Sequence, residues 1–421
     1  MSLSAIDQVS VPVSPDRSVP RKRVNAGDGA IDRRGRARDV PAILSYGFRP
    51  FFLLGALDAA LMVPLWLSIF FLGVGQGGPM QGLAWHAHEM LFGYLGAVMA
   101  GFILTAVPNW TGRLPLSGAR LAALAGLWFA GRAAMLADPD PSSAAILDLA
   151  FPVALALSVW REIVAGRNHR NIPIALLLSL LAGANLLDHL AASFPVLDGY
   201  GIRLAMAVAA MMIALVGGRI TPSFTRNFLA RTGLSPLPAP MDNLDRVALA
   251  TTALSLVGWV MAPDDILVGA GLTAAGVLLA ARLFRWRGER VLGEPIVLVL
   301  HLGYLWLAVA LLLLGLASLV PSFLPASAAI HALTAGAVGT MTLAVMTRAT
   351  RGHTGRPIIA DHATIAIYLL VTAGAVFRVL APFVDDRYVP LLVAGGALWS
   401  AAFGLFLLVY GPMLIGRRVA G

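Results

Sequence analysis

Twelve long apolar runs decide what this chain can become. They cover 50–73, 86–107, 118–136, 144–160, 172–194, 201–218, 244–262, 265–284, 294–319, 327–347, 359–381 and 388–414. Each is close to the ~20 residues that a helix needs to cross the hydrocarbon of a bilayer. The runs are continuous, which argues against the ten-residue alternation of an outer-membrane barrel. Charged residues make up 13% of the chain, against about 25% in soluble domains, too few to coat a water-facing surface. The expected fold class is all-α, a polytopic membrane helix bundle of about twelve transmembrane helices. The run 144–160 is short and contains Pro152, so it is the weakest of the set.

Residues 1–45 are polar, hold Pro and Arg, and lack an apolar period. They read as a disordered cytoplasmic tail, without the apolar run and cleavage site of a signal peptide. Residues 46–421 read as a single twelve-helix transmembrane domain. Lys and Arg orient such a bundle, because they collect on the cytoplasmic side. With the N-terminus inside, all but four of the 31 Lys and Arg fall on the inner side; the exceptions are Arg132, Arg203, Arg378 and Arg387. The outer connections carry Asp138, Asp140, Asp264 and Asp265 instead. Both termini are therefore expected in the cytoplasm. The net charge of +9 is then a topology signal, so the expected partner is the lipid bilayer and no nucleic acid. The longest internal loop, 219–243, contains Pro222, Pro236, Pro238 and Pro240 and divides the helices six and six.

The chain has no cysteine. That excludes disulfides, thiolate zinc sites, iron–sulfur clusters and c-type haem attachment. Any metal must use His, Asp, Glu, Met, Tyr or backbone oxygen. His86, His88 and Glu89 open the second run from its outer end. His189 sits roughly 8 Å below the outer end of the fifth run, and His331 starts the tenth at a similar level. Imidazole suits copper, iron and zinc, so this outer set fits a haem iron with histidine axial ligands, a histidine-bound copper, or both. His86 and His88 are about 200° apart on a helix. Either the helix begins near His88, or the two serve different sites. Asn185, Asp188 and His189 share one helical face. His301 differs, lying roughly 10 Å in from the inner side. His189 and His301 also have a plainer reading as hydrogen-bonded packing groups, and His86 and His88 as an interfacial polar cap beside Trp85. Asp58 reads equally as a proton-path carboxylate or as half of a local pair.

Several runs together carry a family resemblance. They are Gly47–Leu54 (GFRPFFLL), Trp85–Gly93 (WHAHEMLFG), Ala100–Gly112 (AGFILTAVPNWTG), His301–Tyr304 (HLGY), His331–Gly339 (HALTAGAVG) and Met346–Arg356 (MTRATRGHTGR). From about residue 42 to 414 the chain resembles the NnrS family. The resemblance implies a bacterial inner-membrane protein, multi-pass, containing haem and copper and acting in the response to nitric oxide, often beside denitrification. The family's histidine-bearing runs fall on His86, His88, His189, His301 and His331. The expected site has a b-type haem on an axial pair of His88 and His331, with His301 as a further haem-binding candidate. Copper would draw on His86, His88, Glu89, His189 and His331. Nitric oxide and an unidentified electron donor are the expected partners of a redox site near the periplasmic side. A haem–copper oxidoreductase acting on nitric oxide is one reading. A twelve-helix secondary transporter and a non-catalytic nitric oxide or metal sensor or chaperone are the alternatives.

Overall fold

The computed structural model describes residues 40–73, 75, 78–137 and 140–419, with the backbone alone at 30–31 and 37–38. Twelve helices in it are long and apolar enough to cross a membrane. They are α1 (Phe48–Leu72), α2 (Gly82–Thr111), α3 (Ala119–Ala137), α4 (Pro141–Ala165), α5 (His169–Ala191) and α6 (Pro195–Thr232). The second half holds α7 (Asn243–Met261), α8 (Ile266–Phe284), α9 (Pro295–Leu319), α10 (Ala326–His353), α11 (His362–Phe383) and α12 (Asp385–Ile415). Among the described residues, the extended structure is a two-residue antiparallel pair, Ala30–Ile31 with Ala37–Arg38. Within the 1–45 tail, residues 42–44 form a short turn; most of that tail lies outside the described residues.

Three helices fill the middle. In α2, α6 and α10 the apolar windows are 83%, 67% and 72% buried, against 61% in α9 and at most 44% in the other eight. The remaining helices stand around them in three runs, with α3 on α4 and α4 on α5, α7 on α8 and α8 on α9, and α11 on α12. Helix α1 packs along α12 and completes the third run. The buried helices recur at every fourth position in the chain. Each also widens into a π-helical stretch, at Glu89–Leu95, Ile213–Gly217 and Ala332–Val338. A π turn loosens the backbone ladder and is common at functional sites. In each stretch a side chain from a surrounding helix takes one carbonyl: Trp128 Nε1 donates to Gly93, Arg282 to Ala214 and Trp399 Nε1 to Ala335.

The Arg49 guanidinium, at the start of α1, donates to the carbonyls of Leu414 (2.9 Å) and Gly416 (2.6 Å) at the end of α12. The Val419 amide donates to Thr354, just past α10. Both ends of the described bundle therefore sit at one end of it, termed the near end. The α1–α2, α3–α4 and α5–α6 connections lie at the far end.

Two boundaries differ from the sequence reading. Helix α6 runs on through Pro222 to Thr232, so the expected 219–243 loop shrinks to 233–242. Proline removes the hydrogen bond to the carbonyl four residues back, which is Gly218. The Arg282 guanidinium donates to that carbonyl at 3.4 Å, so the helix continues. Helix α4 spans 25 residues despite Pro152. Its start is fixed by Asp140, whose carboxylate accepts from the Ser143 amide, as an N-cap does.

Candidate functional site

Asp148, inside α4, organises the first polar cluster, and its side chain is 2% exposed. A lone carboxylate in an apolar bundle costs several kcal/mol unless it is paired and hydrogen-bonded. Here one oxygen, Oδ2, receives three donors: His88 Nε2 at 3.0 Å, His189 Nε2 at 3.0 Å and Asn185 Nδ2 at 2.7 Å. The other, Oδ1, pairs with the Arg132 guanidinium from α3. Arg132 also lies 2.8 Å from Glu89 Oε2. His88 is fully buried, and its Nδ1 meets Asp188 Oδ2 at 2.7 Å. The spacing that puts Asn185, Asp188 and His189 on one face of α5 is what delivers all three to this cluster. His88, Asp148 and His189 each offer a ligand atom within 4.8 Å of the others. Two imidazoles and a carboxylate at that separation can hold a transition-metal ion. Asp58 approaches from α1: its Oδ2 and the Glu89 Oε2 lie 2.9 and 3.0 Å from where a Cβ on Gly93 would stand. A side chain at 93 would push the two carboxylates apart.

A separate cavity of about 520 Å³ opens between α1, α2, α6, α10, α11 and α12. His86 and His331 both line it, from different helices. His331 Nδ1 donates to the Ser327 carbonyl at 2.7 Å, which leaves the lone pair on Nε2. The His86 ring stacks on Trp66 at 4.3 Å, and its Nδ1 has no hydrogen-bond partner among the described residues. Arg378 enters the cavity from α11 with a buried Nη1 that likewise lacks a partner among them. The rest of the wall is mostly apolar and aromatic, with Tyr94 and Trp399 at one side.

His301 stands apart from both. Its Nε2 shares a hydrogen bond with Thr225 Oγ1 at 2.8 Å, beside Trp286. Below it, Arg282 pairs with Asp245 at 2.6 Å and donates to Tyr304.

The histidines chosen from depth are thus split three ways. His88, Glu89 and His189 meet in the Asp148 cluster, His86 and His331 meet in the cavity, and His301 joins neither. His88 does not line the cavity that His331 enters. The reason is rotational: α2 is already helical through Gly82–His88, so residues 86 and 88 face opposite ways. Sequence reasoning missed Asp148 and put Arg132 and Arg378 down as topology exceptions. An ionisable residue within an apolar run was the available signal.

A protein-family model described as NnrS protein matches residues 42–418. No curated protein matches the chain.

Proposed function

Because the chain belongs to the NnrS family, we propose that it is a haem- and copper-binding membrane protein of the nitric oxide response. The carrying observation is the cavity shared by His86 and His331. Its volume of about 520 Å³ falls within the roughly 300–1,000 Å³ typical of cofactor and ligand pockets. The donor set fits haem: two imidazoles from separate helices, an aromatic wall and a guanidinium whose Nη1 has no partner among the described residues and could meet a carboxylate. His86 and His331 would hold the haem iron, and Arg378 would pair with a haem carboxylate. His88 is reassigned from the haem to the second site, where His88, His189 and Asp148 are the copper candidates.

When bound, haem iron and copper supply one-electron redox chemistry and an affinity for nitric oxide that no side chain here has. The chain's own groups do the rest. Ser327 fixes the tautomer and the ring plane of His331, as outer-shell acceptors do for ligating histidines. Trp66 holds the His86 ring by stacking. Asn185 and Arg132 hold the Asp148 carboxylate in place for His88 and His189. The surrounding apolar residues exclude bulk water. The membrane in question is the bacterial inner membrane, with the near end in the cytoplasm; the collection of arginines at that end supports this orientation. Burial at every fourth helix supports three four-helix units over the two six-helix halves that a carrier reading calls for.

Purified protein should carry haem absorbance and copper. His331→Ala and His86→Ala should each remove or shift the haem spectrum. His88→Ala should keep the spectrum and lower bound copper several-fold, the size of effect expected for a lost ligand. A haem spectrum unchanged in both cavity variants overturns the axial pair. Protein with neither pigment nor copper overturns the whole reading.

A further inference from the structure

The histidine cavity has a smaller neighbour. It lies where α2, α6 and α10 meet and measures about 70 Å³. Val98, Met99, Ala209, Val216, Val338 and Met341 wall it, and all six are buried. Each π-helical stretch contributes to the lining: Leu95 from α2, Val216 from α6 and Val338 from α10. Thr342 is the one hydroxyl among the lining residues. That hydroxyl is already committed to the carbonyls of Val338 and Gly339 and to the Tyr94 hydroxyl. A buried water needs two to four polar partners, and about 10–15 Å³ by the same measure. The cavity has ample room and offers no such partners.

The two cavities share a wall. Val338 lines both, Tyr94 lines the larger one and Thr342 the smaller one. The Tyr94–Thr342 hydrogen bond crosses that wall.

We propose that the small cavity is a docking site for a small uncharged gas molecule, parted from the histidine cavity by Val338 and the Tyr94–Thr342 pair. The chemistry selects this class of ligand. With no charge and no free donor, the cavity rejects nitrite, metal ions and water, each of which would lose its hydration without replacement. A diatomic gas loses almost nothing on leaving water and already partitions into the apolar phase around the bundle. Such a store keeps the gas beside the histidine cavity and raises the chance of its entry. That delivery role rests on the haem reading. The docking itself does not.

Xenon is the probe, applied to the full-length protein without cofactor and followed by xenon NMR or in xenon-pressurised crystals. Wild type should bind xenon at this cavity. Ala209→Leu should lower occupancy at least tenfold while the melting temperature holds or rises, as for other cavity-filling changes. Ala209→Val is the milder second variant if the first does not fold. Failure of wild type to bind xenon overturns the docking site, as does a folded filling variant that keeps the full signal. The delivery role is tested on haem-loaded protein by rebinding of carbon monoxide after photolysis. Val338→Ala should speed the slower rebinding phase and Val338→Phe should slow it. Xenon binding with rebinding indifferent to residue 338 overturns delivery and upholds the docking site. A protein without haem still decides the xenon experiment.

Discussion

Asp148 receives three donors on one oxygen and a guanidinium on the other. Its neutralisation depends on Arg132, the one guanidinium that also serves Glu89. Removing that cation leaves buried carboxylates unpaired, which typically costs about 3–5 kcal/mol. Arg132→Met should therefore lower the thermal stability of the detergent-solubilised protein. The variant is best compared with Arg113→Met, whose ion pair with Glu162 is largely exposed and whose loss should change little. Why Asp148 escaped sequence reasoning follows from the same geometry. Its partners come from α2, α3 and α5, and none lies within one helical turn of it in sequence. Arg132 and Arg378 looked like stray outer arginines, because counting charge by loop cannot show that a cation points inward. The histidines were legible, since an imidazole is rare in an apolar run. Their partition was not, beyond the 200° argument at His86 and His88, because pairing across helices is a tertiary property.

At the scale of elements, the π-helical stretches set the positions of the site. Two of them follow directly on a site histidine, at His88–Glu89 and at His331–Ala332. Nothing in the apolar period announces a π turn, which adds one residue without changing composition. Apolar runs therefore located the helices, while their internal register came from packing. The freed carbonyls need donors, and Trp128 supplies one to Gly93. Trp128→Phe keeps most of the ring's packing and removes the donor, at a cost of about 1–3 kcal/mol for a buried unsatisfied carbonyl. It should also weaken metal retention at the neighbouring His88, and equilibrium dialysis of the loaded variant checks this. The start of α7 shows how the ends are fixed. Asp242 caps that helix, and a hydrogen bond from the Arg285 side chain holds its carboxyl down at about 2. A carboxylate depressed in the folded state contributes stability that is fully present above its ordinary value, near 3.9, and lost as pH falls through about 2. Melting curves of Asp242→Ala against wild type should thus keep a constant offset from pH ~7 to ~5 and converge in stronger acid.

In the whole molecule nine helices stand in three runs of three about the three buried ones, at positions two, six and ten. Twelve spans were readable from hydrophobic length alone. The fourfold spacing of the buried helices was not, because a central membrane helix and a lipid-facing one are both apolar and differ only in what they touch. Orientation can be tested directly, since the chain has no cysteine and any single introduced thiol is the only one present. Ser193→Cys, at the far end, should react with a membrane-impermeant maleimide on intact spheroplasts. Leu234→Cys, at the near end, should react only after the membrane is opened; the reverse pattern would invert the bundle. The order of the helices along the chain also bears on assembly. The Asp148 cluster is built entirely from α1–α5, the first helices to leave the ribosome. The cavity of His86 and His331 needs α1, α2 and α6 together with α10, α11 and α12. Its two histidines therefore cannot meet until nearly the whole chain has been synthesised. Any pigment seated between them is loaded after translation, into a bundle whose Asp148 cluster already stands complete.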